Sequence, residues 1–146
     1  MIFCIEDSDE ALLDEVLTNL LRRNEKKGKN VIRTDKLSKD LLKLTNTVIG
    51  IDRIDLIDID KESINIILRS GRMKNTIIYT CKNIYSIPIG LRLVTDYFAM
   101  PIKKRKIIKL IIFRNTPLLE KFITQFNLLS AFLGKPENFL RVVHLR

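Results

Sequence analysis

The chain has 146 residues and a mass of 17.0 kDa, enough to bury a core without disulfide or metal staples. Its 46% apolar and 29% charged residues exclude disordered and collagen-like chains, and no run of 18 apolar residues exists to span a membrane. Lys and Arg number 26 against 17 Asp and Glu, and a net charge of +9 points toward polyanionic partners.

The charge is unevenly spread. Residues 1–60 carry 10 basic and 13 acidic side chains, a net of −3, whereas residues 61–146 carry 16 and 4, a net of +12. No linker rich in Gly, Ser or Pro separates these halves, so residues 1–146 read as a single domain with an acidic-to-neutral part and a basic part. With 22 Ile, 15 Lys and one Gln, the composition suits an AT-rich genome, that of a thermophilic archaeon or its virus. Met1 is followed by no basic stretch, apolar core and cleavage site, so a cytoplasmic protein without membrane contact is expected. Cys4 and Cys81 form neither a CxxC nor a zinc spacing and read as reduced thiols.

In chain order, Ile2–Ile5 is a short apolar run with the character of a strand. Ser8 then precedes Asp9, Glu10 and Ala11, a helix start with carboxylates where the dipole favours them. Leu12, Leu13, Val16, Leu17, Leu20 and Leu21 recur at helical spacing, predicting a helix over 9–25 that Gly28 stops. A second helix is predicted over 35–45, capped by Thr34, with Leu37, Leu41, Leu42 and Leu44 on one stripe.

From Ile51 the pattern alternates. Residues 51–60, 64–69 and 76–81 read as three strands joined by turns at 60–62 and 70–75, an antiparallel meander. Leu91, Val94, Tyr97 and Phe98 return to helical spacing, which Pro101 ends. Ile107–Phe113 has strong strand propensity. Thr116-Pro117 opens a last helix with a broad face from Leu118 to Phe132, and residues 137–146 form a short helix or a closing strand. The expected fold class is therefore α+β: N-terminal helices, a central antiparallel β-meander and a C-terminal helix.

Two basic clusters stand out. One is the expected hairpin loop 69–75, with Arg69, Arg72 and Lys74 at its tip. Helix, helix and basic-tipped hairpin is similar to a winged-helix layout, but the groove-reading helix before the hairpin is missing. The other cluster is Lys103, Lys104, Arg105 and Lys106, followed by Lys109 and Arg114. Consecutive cations must reach solvent, because unpaired buried charge is too costly, and exposed cations at this density contact phosphates without reading bases. Tyr85, in a polar stretch, is a candidate for stacking on an unpaired base.

Other chemistry finds little support. Asp52, Asp55, Asp58 and Asp60 read as solvent-facing carboxylates of a half-exposed strand, and a divalent-metal nuclease using them is a minor alternative. His144 is the only histidine, too few for a metal site or triad. The five glycines are scattered, so no Gly-rich phosphate loop is present. The reading is a small basic, non-enzymatic nucleic-acid-binding protein or subunit, with no catalytic residue, metal or cofactor. The alternative is an adaptor or assembly subunit that docks on a larger protein, or on its own copies, through its Phe-rich C-terminal helix.

Overall fold

In the computed structural model, residues 1–116 and 139–145 are described. They contain seven strands: β1 (Ile2–Glu6), β2 (Asn30–Thr34), β3 (Thr47–Ile51), β4 (Thr76–Cys81), β5 (Tyr97–Lys104), β6 (Ile107–Arg114) and β7 (Phe139–His144). Three α-helices connect them: α1 (Glu10–Lys26), α2 (Lys61–Arg72) and α3 (Ile89–Val94).

The strands form one sheet in the order β2-β3-β4-β1-β5-β6-β7. The first five in that order run parallel, and β6 and β7 add antiparallel at one side. Parallel neighbours need long crossovers, supplied by α1, a 3-10 turn at Lys39–Lys43, α2 and α3. Among the described residues, β5 and β6 alone are joined by a tight turn, Arg105-Lys106, with Arg105 at φ 60°. The inner strands β3 and β4 are covered on both faces, with all five residues of β3 buried, whereas the edge strand β2 has no fully buried residue.

The sheet curls around α1. Arg33 of edge strand β2 donates to Thr18 of α1 at 2.7 Å, while Arg23 of α1 donates to the His144 carbonyl of the opposite edge strand at 3.1 Å. Leu13, Val16, Leu17 and Leu21 fill the concave side against Ile5, Val48, Ile78, Ala99, Leu110 and Ile112. The seat is tight at Gly50, where a Cβ would stand 2.8 Å from Leu21 Cδ1. On the convex side, α2, α3 and the 3-10 turns cover a second core around Ile49, Ile67, Tyr79, Leu91, Phe98 and Phe113. Cys4 and Cys81 are buried there as free thiols, sulfurs 3.6 Å apart. No helix among the described residues is long and apolar enough to cross a membrane.

This architecture corrects the expected fold class. The centre is a parallel sheet flanked by helices, not an antiparallel meander. Residues 61–72 form α2 instead of a strand and a basic hairpin loop: Asp60 accepts from Ser63 N at 2.8 Å and caps the helix. The expected second helix over 35–45 is not an α-helix: only Lys39–Lys43 turns, as a short 3-10 segment, and Thr34, expected to cap it, ends strand β2. Tyr97 and Phe98 begin β5 and do not end a helix. The expected first strand, the first helix and the strands at 76–81 and Ile107–Phe113 are present, the strand at 76–81 as β4 within a parallel sheet. Residues 139–144 take the closing-strand option. The Phe-rich helix from Pro117 to Phe132 lies outside the described residues.

Candidate functional site

A parallel sheet offers ligands a crevice beyond the carboxyl ends of its strands, where crossovers leave on opposite faces. Here that point lies between β1 and β4: β1 is followed by α1 on the concave face, and β4 leads to α3 on the convex face. A crevice of about 810 Å³ opens there. Glu6, Asp7 and Asp9 line it from the β1–α1 turn, Lys82 from the end of β4, and Lys103 and Arg105 from β5 and its turn.

The turn is built around carboxylates. Asp9 is extended (φ −89°, ψ 106°) and its Oδ1 accepts from Ala11 N at 3.0 Å and Leu12 N at 3.2 Å. Asp7 Oδ2 accepts from Asp9 N at 2.8 Å. Partial burial raises the Asp7 carboxyl above its ordinary value; the Asp9 N–H opposes this and the Asp9 charge adds to it. Glu6 accepts from Ile84 N at 2.6 Å, which ties this turn to the segment after β4. The Tyr85 phenol, beside that segment, is raised by burial and by the Glu6 charge, with Arg92 opposing.

Arg53 closes the convex side of the site. It sits at φ 48°, donates its N–H to Thr80 Oγ1 at 2.9 Å, and reaches Asp55 through two side-chain bonds of 2.9 Å. Its third contact is Glu10 Oε1, on the first turn of α1, at 3.0 Å. Burial would raise the Asp55 carboxyl, but the Arg53 hydrogen bonds and charge outweigh it and hold it below the ordinary value. Asp55 is therefore no solvent-facing strand carboxylate, as its sequence context suggests, but half of a covered ion pair. Among the described residues, no group of three His, Cys, Asp or Glu side chains stands close enough together to hold a metal ion.

The expected nucleic-acid residues are divided between the two ends of the sheet. Lys103, Lys104, Arg105 and Lys106 lie on the β5–β6 turn, beyond the end of β1, with Lys109 exposed on β6 and paired in register with Ile102. Lys103 Nζ is held by Glu15 of α1 at 2.9 Å. Tyr85 is at the same end, 39% exposed. Arg69 and Arg72 are on α2, Lys74 follows it at φ 62°, and all three precede β4 at the other end of the sheet, with Arg114. From sequence, the Glu6, Asp7, Asp9 and Glu10 cluster reads as N-terminal helix charge able to hold a cation or a basic partner, and Lys82 carries no signal of its own. The one signal for a crevice was the junction itself, an apolar run meeting a capped helix within four residues.

No protein-family model matches the chain, and no curated protein matches it by sequence. Solved structures do. The genome packaging NTPase B204 of Sulfolobus turreted icosahedral virus 2, in complex with ATP-γS, superposes with TM-score 0.59 at 10% identity over 98% of this chain and 90% of that one. The N-terminal domain of zonular occludens toxin from Neisseria meningitidis gives 0.54 at 9% identity, over 86% of this chain and 91% of that one. The flagellar accessory protein FlaH from Methanocaldococcus jannaschii gives 0.50 at 12%, over 77% and 76%.

The fold is thus P-loop NTPase-like. This overturns the reading as a small non-enzymatic nucleic-acid-binding protein, which rested on a different fold and on taking the absence of a Gly-rich loop as the absence of its scaffold. The crevice residues themselves do not fit a triphosphate gripped in the usual way. Residues 6–10, Glu-Asp-Ser-Asp-Glu, offer neither glycine nor lysine, and Asp9 already occupies the helix N–H groups on which a phosphate would rest.

Proposed function

We propose that this chain is an NTPase-fold subunit of a nucleic-acid-handling assembly, and that it meets the nucleic acid through the tip of the β5–β6 hairpin. The similar fold of a viral genome packaging NTPase supports the class of assembly. The observation that carries the residue assignment is the position of the hairpin. Lys104, Arg105 and Lys106 are exposed past the end of β1, and Lys103 and Arg105 also line the ligand crevice of the fold. A phosphate backbone on the hairpin and a ligand in the crevice therefore share two side chains. The Lys103–Glu15 contact carries any shift of the hairpin to α1, whose first turn forms the crevice wall.

Contacts of this kind neutralise phosphates and release counterions, so they read charge and not sequence. The test is a full-length variant with Lys104→Gln, Arg105→Asn and Lys106→Gln, Asn being suited to the positive φ at 105. Binding to a labelled duplex should weaken alike for unrelated sequences. The slope of log K against log salt should become shallower by up to about 0.9 per lost contact. Unchanged affinity and slope would remove the hairpin from the interface.

A further inference from the structure

We infer that the C-terminal end of α1 is a second phosphate-binding surface, fitted to a nucleic-acid backbone and separate from the hairpin. Arg22, Arg23 and Lys26 on the last turns of α1, and Lys27 and Lys29 just after it, are all exposed. Arg22, Arg23 and Lys26 line a groove of about 530 Å³ between α1 and edge strand β7, together with Asn19, His144 and Leu145 and, among the described residues, with no carboxylate. The Arg23 guanidinium is fixed across the groove by its bond of 3.1 Å to the His144 carbonyl, so part of the cost of ordering a long side chain on binding is already met.

Density and the lack of nearby acids set this surface apart from the cations that are held in ion pairs. Elsewhere, Arg33, Lys39, Lys43, Arg53, Lys82 and Lys103 each pair with a carboxylate. Among the described residues, Arg22, Arg23, Lys26, Lys27 and Lys29 pair with none, and Glu25 is the one acid between residues 16 and 34. Compensation of the helix dipole accounts for Arg23 and Lys26 in the last turn and for the cap Lys27, but Arg22 lies before that turn and Lys29 beyond the cap.

The choice of ligand follows from size and composition. From Arg22 to Lys29 the cations extend over roughly 10 Å at helical rise, longer than one phosphate group and matched to consecutive phosphates of a strand. Among the described residues the groove lining includes no Phe, Tyr or Trp, and His144 is the single ring, so contacts to phosphates dominate and neither sequence nor single strands should be strongly preferred. The inference shares with the proposed function only the nucleic-acid partner.

The experiment uses the full chain carrying Arg22→Gln, Lys26→Gln and Lys27→Gln, which leaves Arg23 and its bond in place. Binding to a labelled duplex should weaken about tenfold at low salt, with a slope shallower by up to about 0.9 per lost contact. A charge-preserving variant, Arg22→Lys with Lys26→Arg and Lys27→Arg, should bind like the unsubstituted protein, and thermal midpoints should agree because these side chains are exposed. Unchanged affinity and slope in the Gln variant overturn the inference. So does competition by inorganic pyrophosphate at the concentration where it equals duplex phosphate, since the site would then hold small anions. A change in size-exclusion mass with unchanged duplex binding also overturns it, marking a contact between copies. Loss in the α1 variant without loss in the hairpin variant upholds this surface and removes the hairpin; the converse removes this surface and upholds the hairpin.

Discussion

The crevice and the end of α1 carry charge in opposite ways. Around the crevice, acids and bases are interleaved and answered: Arg53 by Asp55 and Glu10, Lys82 by Glu10, Lys103 by Glu15. At the end of α1 the cations stand together in solvent, with no ion pair to a carboxylate among the described residues. Paired charge in a partly covered site fixes the geometry of loops, whereas unanswered charge at the surface attracts a partner of opposite sign. One helix connects the two, since α1 begins at the crevice wall and ends in the basic groove.

That helix is the place to break both regions at once. Leu17 is fully buried between α1 and the sheet, so Leu17→Ala should cost about 2–5 kcal/mol, read from the midpoint of urea unfolding. Loss of this size should weaken hairpin and groove binding together near the unfolding transition. A change below about 0.5 kcal/mol would mean that α1 is not seated as described.

Breaking the paired region alone should have a smaller effect. Arg53→Ala leaves Asp55 covered without its partner and removes the link to Glu10, at a cost of about 1–3 kcal/mol. The acid side of the stability curve sharpens this. Because the folded Asp55 carboxyl lies below its ordinary value, its contribution is present above the unfolded value and is lost as pH falls through the folded one. Unfolding at neutral pH and at about pH 3 should show a smaller acid loss in Asp55→Asn than in the unsubstituted chain. Asp7 works in the other direction. Its raised carboxyl favours the folded state below the ordinary value, and that contribution is lost as pH rises through the folded one. An Asp55→Asn variant with an unaltered acid limb would show that the Arg53 pair does not set it.

The anion question at the turn can be put through Asp9. Asp9→Ser keeps a good N-cap but removes the charge that fills the helix N–H groups. Stability should change by less than about 1 kcal/mol, while binding of pyrophosphate or ATP, measured by calorimetry, should strengthen several-fold. No gain would mean that the remaining acids, Glu6, Asp7 and Glu10, keep phosphates out unaided. The smallest stability effect belongs to the exposed cations. The hairpin and α1 variants should each stay within about 0.5 kcal/mol of the unsubstituted protein while differing in salt dependence.

Sequence pattern reached some elements and not others for identifiable reasons. The first helix was legible because the acidic first turn and the Leu stripe agree on one structure, although its cap is Asp9 and not Ser8, the residue the sequence suggests. Residues 61–72 were misread because Ile64, Ile66 and Leu68 satisfy alternation while Ile64, Ile67 and Gly71 satisfy helical spacing. The deciding feature was the cap Asp60-Lys-Glu-Ser63, taken as a turn. Strand β3 is buried on both faces and carries none of the alternation that marks a half-exposed strand, whereas Thr76–Cys81 alternates in polarity and is legible as β4. Of the site, the cations of the β5–β6 turn were visible as a run, but their neighbourhood with Glu6, Asp7 and Lys82 was not, because these lie about 20 to 100 residues apart in the chain.

What the amino-acid order determined alone was local: the capped first helix, the apolar strands at Ile2–Ile5 and Ile107–Phe113, and the surplus of cations after residue 60. Those features depend on propensity, capping and charge, which act over a few residues. Tertiary structure decided which strands are neighbours and on which face each crossover returns. That choice is made by burying both faces of β1, β3 and β4 at once, a condition no single segment expresses. It also decided the pairing of Arg53 with Asp55 and Glu10, and left the cations at the end of α1 without a carboxylate among the described residues. Whether a charge holds the fold or awaits a ligand depends on what packs beside it, and packing is settled only when the sheet closes around α1.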